Sequence, residues 1–484
     1  MEYIENKEEE NKQMRAIFDD MAKYAPSKIV GTIGNAIIVP VYTSMLSPQE
    51  YGLYTLSIAV LSFLCIIFSD WVGLSGLRFF RQHQIIQDMP RYLTTLFMIL
   101  MSNILLMFVL CFFFRQNFYS FFHIPVKYFL AILILIIPVA IRAILSQLLR
   151  AQLKSIAFTM STIINQFLTI IISIVLIKYF HLGAMSLLLG MGIGITLVDI
   201  LLIYQSGILK WFRLQKIRWE TLAPVYLYGI PIAATSLTTW IINQSNKLIM
   251  NSIHGFSQVG IVGVAYGLTL PILMTMFAII TVAAIPRIIN MYEAKIDVRP
   301  IISKFMGYYI LVALPAVMVM SICSLDFVHI FASSEKFYVA YKIIPFFAFG
   351  TFFLSFTDYT TLQYHLANKT YIDFIIKLVS GIAGIILNLL LIPKMGLVGV
   401  GVATLSANLL YLLLSLIIVL PGLNVIYPKD ILLKLLISMF PFGLTLFLVK
   451  ECSFVYTPFR LLLPLCVFYG VYFLIDKKFK FNNI

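Results

Sequence analysis

Apolar stretches of about 20 residues, separated by short polar segments, recur along the whole chain. A helix of that length crosses the hydrocarbon core of a bilayer. The pattern therefore predicts an all-α polytopic membrane protein with about 14 transmembrane helices. The predicted spans are 24–46, 51–77, 92–114, 127–149, 156–180, 184–206, 223–253, 258–285, 303–325, 342–367, 371–393, 396–420, 430–449 and 458–475.

A bent hairpin pattern occurs twice in this series of spans. Residues 27–54 combine small residues, a proline at Pro40 and a very short polar turn before the next apolar run. Residues 229–265 repeat the plan, with Pro231 near the start. A proline inside a helix removes a backbone hydrogen bond and favours a kink, so Pro40 and Pro231 are candidate hinges.

The later spans of the two copies also resemble each other. Residues 150–190 and 365–401 share a short polar motif, an apolar run and a glycine-containing helix start, in that order. Since each copy has an even number of spans, both have the same orientation in the membrane, as in parallel-repeat transporters. The sequence therefore predicts two parallel-repeat six-helix lobes plus two C-terminal helices. The predicted divisions are a cytoplasmic N-terminal lead-in at 1–23, an N-lobe at 24–206, a basic cytoplasmic linker at 207–222, a C-lobe at 223–420, and the last two spans with a cytoplasmic C-terminal tail at 421–484.

The placement of charge predicts the topology. The chain has 35 Lys and Arg residues against 21 Asp and Glu residues, a formal net charge of +14. Most of the basic residues fall in loops on the side that holds both chain ends, which makes that side cytoplasmic. The N-terminus is polar and lacks the apolar core of a signal peptide. No block of alternating basic and aromatic residues indicates a nucleic-acid surface.

The sequence lacks the usual motifs for cofactors and metals. The five cysteines show no metal or redox spacing, and neither a GxxxxGK[ST] phosphate-binding loop nor an HExxH zinc motif is present. No loop between predicted spans exceeds about 20 residues, whereas catalytic loops are often longer. The sequence therefore predicts no cofactor, no metal and no enzymatic activity. A membrane glycosyltransferase or polysaccharide polymerase is an alternative that fits less well.

Three stretches resemble a known family. They are the proline-containing first helix running into LSPQEYGLY, the segment NKLIMNSIHGFSQVGIVGVAYG and the segment NLLLIPKMGLVGVGVATLSAN. With these segments the chain resembles the polysaccharide-transporter branch of the multidrug/oligosaccharidyl-lipid/polysaccharide (MOP) exporter superfamily, which includes the O-antigen flippases. The resemblance implies a two-lobed, V-shaped helix bundle and alternating access. It further implies that a sugar linked to a polyprenyl diphosphate crosses headgroup first.

Four basic residues are candidates for binding such an anionic headgroup. A diphosphate that crosses a low-dielectric layer needs cations along its route, because its desolvation is otherwise prohibitive. Lys28, Arg142 and Lys247 lie inside predicted spans, and Arg78 ends the second span. The alternatives are that Arg78 anchors the topology and that Lys28 extends to the interface.

Lys247 ends an unusually polar run, TTWIINQSNK. Asn243 and Thr239, four and eight positions earlier, fall near the same face of the helix. The stripe predicts a cavity-facing surface; a hydrogen-bonded seam between helices is the alternative, and it is favoured for Asn243 alone. Many relatives have an acidic residue before this basic one. The pair Asn246-Lys247 here argues against a coupling ion at this position.

Two carboxylates of the predicted N-lobe affect the roles of these cations. Asp70 and Asp199 lie in the same lobe as Arg78 and Arg142, and either would neutralise one of these in a buried pair. A proton- or sodium-coupled multidrug exporter would instead use such carboxylates to bind the coupling ion.

Three charged residues of the predicted C-lobe complete the set. Asp373 and Lys377 are spaced i,i+4, which predicts a local ion pair. Asp358 has no such local partner and is a candidate for the cavity or for ion coupling.

The leading hypothesis is a flippase that moves polyprenyl-diphosphate-linked oligosaccharide across the bacterial inner (plasma) membrane for cell-surface polysaccharide biosynthesis. A cation-coupled multidrug exporter similar to the MATE transporters is the alternative. The expected partners are the lipid-linked oligosaccharide, membrane lipids and other polysaccharide-assembly proteins, with no nucleic acid.

Overall fold

The computed structural model describes residues 32, 34, 37–208, 219–424, 426–451 and 457–481, and all regular secondary structure in these residues is helical. The helices are α1 (37–45), α2 (Pro48–Cys65), a π-helical segment (Ile66–Asp70), α3 (Trp71–Ile85), α4 (Met89–Phe113), α5 (Arg115–Phe122), α6 (Val126–Ala151), α7 (Ser155–Phe180), α8 (Ala184–Ser206), α9 (Trp219–His254), α10 (Phe256–Glu293), α11 (Arg299–Ile322), α12 (Ser324–Phe331), a 3₁₀ segment (Glu335–Lys342), α13 (Ile344–Leu366), α14 (Thr370–Met395), α15 (Leu397–Ile417), α16 (Lys429–Glu451) and α17 (Thr457–Phe481).

Long apolar helices confirm the predicted fold class. Within the described residues, 12 helices are long and apolar enough to cross a membrane, or up to 13 if the 3₁₀ segment and α13, which meet at 55°, form one bent span. The predicted bounds agree with the helices to within a few residues at most ends. About half of the predicted first span at 24–46 lies outside the described residues, as does all of the predicted lead-in at 1–23.

Two spans differ in shape from the prediction. The predicted span at 51–77 is part of one 38-residue helical stretch, Pro48–Ile85, that contains the π-helical segment. The predicted span at 342–367 begins instead with the 3₁₀ segment and bends before α13. Apolar periodicity reports length and burial but not a change of helix type, so neither difference is visible in the pattern.

The polar residues before α2 explain where that helix begins. Ser47 is the N-cap, and its hydroxyl accepts a hydrogen bond from the Glu50 backbone N–H at 3.3 Å. The Glu50 carboxylate in turn accepts from the Ser47 backbone N–H at 2.9 Å. This capping box satisfies two N–H groups that lack partners inside the helix. Pro48 follows at the first helical position, where its missing N–H costs nothing.

Contacts divide the chain into two compact units. One unit is Met45–Gly263; the other joins the residues up to Ser44 with Val264–Ile484. The first unit therefore contains α9, which the sequence assigned to the C-lobe. Trp240 of α9 donates its indole N–H to the Ala59 carbonyl at 2.9 Å, and the Trp71 ring fills the space beside Gly229. The lobe boundaries at 206 and 223 stay a prediction.

The hydrophobic core of the Met45–Gly263 unit lies among α3, α4, α6, α8 and the start of α9. Its fully buried side chains include Leu96, Ile144 and Leu148. Glycines bring α7 and α8 together, because a Cβ at Gly194 would lie 2.8 Å from the Thr169 hydroxyl oxygen. Small residues allow this close approach in membrane helices, where apolar surface alone does not drive association.

Two glycines bring the starts of α2 and α10 together within the same unit. A Cβ at Gly52 would overlap the Phe256 carbonyl oxygen, and a Cβ at Gly260 would overlap the Pro48 carbonyl oxygen. Each glycine therefore rests on the first residue of the opposite helix. These are the two turns whose sequences echo one another, so the repeated hairpin pattern corresponds to a reciprocal contact.

The second unit has two smaller cores. Phe442 and Phe468 pack edge to face at 5.6 Å between α16 and α17, next to Val319 of α11. Tyr364 and Tyr411 belong to a separate buried cluster of α13 and α15. Aromatic pairs of this kind stabilise beyond their buried area.

Candidate functional site

Lys28 and the basic residues of the predicted linker lie outside the described residues. The role predicted for Lys28 stays a prediction.

Arg78 is exposed in the middle of α3, which continues to Ile85 rather than ending at Arg78 as predicted. Among the described residues, none of the carboxylates lies within salt-bridge distance of its guanidinium, and Asp70, eight positions earlier, is not its partner. An exposed guanidinium without a carboxylate beside it fits the predicted anion-binding role, because its planar fork donates two parallel hydrogen bonds to phosphate. Its contact with a substrate stays a prediction.

Arg142 is paired. Its Nη1 lies 3.4 Å from Oδ1 of Asp199, and its Nη2 donates to the Ser161 carbonyl at 3.0 Å. The two charged side chains are 14% and 7% exposed. The sequence left open that Asp70 or Asp199 pairs with Arg142, and the structure shows the pair with Asp199. Arg142 is therefore not an unpaired cation in α6. The second carboxylate oxygen of Asp199 is buried without a hydrogen-bond partner in the part of the chain described.

Lys247 is buried in α9. It is 8% exposed, and the neighbouring Asn246 is fully buried. Asn243 is half-buried, whereas Thr239 is exposed and donates its hydroxyl to the Thr235 carbonyl at 3.2 Å. The predicted polar stripe therefore passes from the surface into the interior of the unit. The roles of Lys247 and Asn243 in binding stay predictions.

Asp70 ends the π-helical segment. Ser69 donates its hydroxyl to Asp70 Oδ1 at 3.3 Å, and the carboxylate is half-buried. Neither Arg78 nor Arg142 forms the predicted ion pair with it, because Arg142 is engaged by Asp199. π-helical segments within α-helices are frequent at functional sites, so Asp70 remains a candidate for coupling.

The second unit contains a charged cluster around Asp373. Lys377 lies 2.8 Å from Asp373 Oδ2, which confirms the predicted i,i+4 ion pair. Tyr411 donates its hydroxyl to Asp373 Oδ1 at 2.7 Å, and His365 Nε2 lies 3.6 Å from Oδ2. Asp358 of α13 is half-buried and has no salt bridge among the described residues. Its role stays a prediction.

The two candidate hinge prolines occupy different settings. Pro40 lies in α1, and its carbonyl accepts a hydrogen bond from the Ser333 hydroxyl at 3.0 Å. Pro231 lies inside α9, where the Thr235 hydroxyl donates to the Ile232 carbonyl at 2.8 Å. Neither acceptor is the carbonyl that lacks a partner because of the proline, which belongs to the residue four positions earlier. Hinge motion at either residue stays a prediction.

One polar cavity was not predicted. It has a volume of about 530 Å³ and lies where α3 ends and where α4 and α9 begin. Its lining includes Gln82, Asp88, Arg91 and Glu220. Two of these segments are separated by more than a hundred residues, so no local pattern brings them together. The basic residues Arg78 and Arg81 place this end of α3 on the predicted cytoplasmic side.

Comparison with solved structures defines the class of the fold. The chain matches "Lipid II flippase MurJ, inward closed conformation" with a TM-score of 0.71 and 17% identity, over 96% of this chain and 99% of that chain. An inward-facing multidrug resistance MATE family transporter of the MOP superfamily gives a TM-score of 0.64 and 11% identity, over 82% and 93%. The eukaryotic MATE transporter AtDTX14 gives a TM-score of 0.53 and 14% identity, over 86% of this chain and 97% of that chain. The chain therefore has the helical fold of these membrane transporters.

The family follows from the sequence itself. A family model described as "Polysaccharide biosynthesis protein" matches residues 41–340, more than half of the chain. The chain belongs to this polysaccharide biosynthesis family, which confirms the predicted resemblance to a family of polysaccharide transporters. No curated protein sequence matches the chain.

Proposed function

We propose that this protein is a flippase that moves a polyprenyl-diphosphate-linked oligosaccharide from the cytoplasmic to the outer leaflet of the bacterial inner membrane. The match to the polysaccharide biosynthesis family over residues 41–340 carries the proposal. The likeness of the whole fold to a protein named as a lipid II flippase supports it.

The exposed cation Arg78 supports a route for the diphosphate. In the proposed mechanism it receives the anionic headgroup at the cytoplasmic side, with Lys28 and Lys247 further along the route and alternating access moving the headgroup across. The lipid tail stays in the bilayer throughout. A membrane potential of 100 mV contributes about 2.3 kcal/mol for each charge moved through it.

The paired residue Arg142 has a different place in this proposal. With Asp199 3.4 Å away and the Ser161 carbonyl accepting from its second terminal nitrogen, the guanidinium is already engaged by the protein. It therefore contributes to the stability of α6, α7 and α8 rather than to the first contact with the headgroup.

Rescue of surface glycan in a strain that lacks its own flippase tests the proposal. The parent should restore glycan display, and Arg78→Ala, Lys28→Ala and Lys247→Ala should each reduce it at matched protein levels. Arg81→Ala is the matched control, because Arg81 is also exposed on α3 but hydrogen-bonds to Gln84. If the parent does not rescue any glycan-deficient strain, or if all three variants rescue as the parent does, the proposed route is wrong.

A multidrug exporter would give a different result in the same strains. Its working groups would be carboxylates, so Asp70→Asn and Asp358→Asn should then abolish drug resistance while the basic residues remain dispensable. The family match favours the glycan carrier.

A further inference from the structure

The cavity at the end of α3 has the size of a small-molecule site and a mainly polar lining. Its volume of about 530 Å³ falls within the roughly 300–1,000 Å³ typical of ligand pockets. Polar side chains from three segments converge on it: Gln82 from α3, Asp88 and Arg91 from the start of α4, and Glu220 from the start of α9. Each of these residues lies close to the end of a helix that lines the cavity. The helix fixes the position of its backbone.

The wall formed by α3 is held in place by an aromatic stack. The His83 ring lies 4.2 Å from the Tyr92 ring at an interplanar angle of 11°. Tyr92 is fully buried, and its hydroxyl donates to the Ser75 and Gly76 carbonyls at 3.1 and 2.9 Å. The Phe79 ring also lines the cavity. Fixed aromatic faces beside polar groups suit a ligand that has both apolar and hydroxyl-bearing faces.

The charges of the cavity disfavour an anion. Arg91 Nη1 lies 2.8 Å from Asp88 Oδ2, so these two charges neutralise one another. Glu220 has no salt bridge among the described residues and leaves a net negative charge. The described lining therefore offers a diphosphate no cation that is free of a carboxylate partner. A neutral polyhydroxyl ligand is favoured, because each hydroxyl both donates and accepts and the cavity offers donors (Arg91, Gln82) beside acceptors (Glu220).

The position of Arg78 links this cavity to the proposed route. Arg78 and Gln82 are spaced i,i+4, so they lie one turn apart on the same face of α3. A guanidinium suited to phosphate thus comes one turn before an amide that lines a neutral-ligand cavity. The order of Arg78 and Gln82 along α3 matches the order of diphosphate and sugar in a lipid-linked glycan.

We propose that this cavity is a glycan subsite, which binds the sugars of the lipid-linked substrate at the cytoplasmic side while Arg78 binds the diphosphate. The proposal rests on the proposed function for the identity of the substrate. Arg78 lies one helical turn from the cavity, so a diphosphate bound at Arg78 keeps the first sugar outside it. The subsite therefore contacts the sugars that follow the first one. A carrier with this subsite distinguishes a completed repeat unit from a truncated one.

A transport assay with two substrates tests the selection. The parent and its variants are reconstituted in proteoliposomes, with either the complete lipid-linked repeat unit or the same lipid diphosphate carrying a single sugar. Gln82→Ala and Glu220→Gln should lower the rate for the complete unit about tenfold and change the rate for the single-sugar lipid less than about twofold, the tenfold loss corresponding to about 1.4 kcal/mol. Gln84→Ala is the matched control, since Gln84 is an exposed glutamine of the same helix outside the cavity. Equal losses for both substrates, or no loss for either, would overturn the subsite.

A binding assay separates this inference from the proposed function. Gln82→Cys introduces a labelling position into a cysteine-free background, and Gln84→Cys is the control. The glycan released from the lipid should slow maleimide labelling of the Gln82→Cys variant and leave labelling of the control unchanged, and inorganic pyrophosphate should protect neither. Protection by the glycan with no transport of any lipid-linked substrate would keep the subsite and refute the flippase. Absence of protection by the glycan, whether or not pyrophosphate protects, would refute the subsite.

Discussion

Substitution of Gly52 by alanine tests the reciprocal contact between α2 and α10. The new methyl group would overlap the Phe256 carbonyl oxygen and lie 2.9 Å from the backbone nitrogen of Gly260. These are backbone atoms and cannot rotate away, so the two helix starts must separate. Overpacking of this kind costs about 1–3 kcal/mol, and the higher helix propensity of alanine returns about 1 kcal/mol at most. We expect Gly52→Ala and Gly260→Ala each to lower the unfolding temperature.

The assay is thermal unfolding in detergent, with the apparent midpoint compared at one scan rate because unfolding of such a protein is governed by rate. For a compact unit of about 150–250 residues, each kcal/mol shifts the midpoint by roughly 2–4 °C. The double variant should lose less than the sum of the single losses, since helices already separated by one methyl group accommodate the second.

Gly443→Ala is the matched control, because a Cβ there would meet no atom within 4 Å. It should leave the midpoint unchanged or raise it slightly. If Gly52→Ala unfolds at the same temperature as this control, the close contact between the two turns does not exist and the reasoning is refuted.

Two further substitutions test the buried charges. Asp199→Asn should destabilise the protein by about 3–5 kcal/mol, because it leaves the Arg142 charge buried without its counter-charge. The double variant with Arg142→Met should recover most of that loss in the same unfolding assay. A double variant as unstable as the single one would show that the pair is not coupled. Tyr411→Phe removes the hydroxyl that donates to Asp373 and should cost about 1.5–3 kcal/mol, since the acceptor is charged. An unchanged midpoint would mean that Lys377 and His365 satisfy this carboxylate without the tyrosine.

The sequence predicted the helices well and the tertiary contacts poorly. Apolar runs such as 127–149 and 184–206 have lengths fixed by the bilayer, so their positions follow from composition alone. The ion pair between Asp373 and Lys377 was also predictable, because helix geometry places residues four apart on one face.

The contacts that the sequence did not predict depend on how helices pack. The pairing of Arg142 with Asp199 joins α6 to α8, and the sequence offered Asp70 as an equal alternative. The cavity at the end of α3 needs α9 to begin beside it, although Glu220 lies far along the chain. The π-helical segment leaves no mark in a pattern of apolar residues. Each of these features is a property of distances between helices, which periodicity does not contain.

The reciprocal contact of Gly52 and Gly260 has the form of an isologous interface: the same kind of position on each turn meets the start of the other. Two separate half-length chains related by a twofold axis would make this same contact with identical residues on both sides. In a single polypeptide, one mutation changes only one of the two turns. The substitutions that one turn accepts are therefore limited by the unchanged shape of the other turn. The copies are therefore held to a common shape at this point, while their remaining helices are free to specialise.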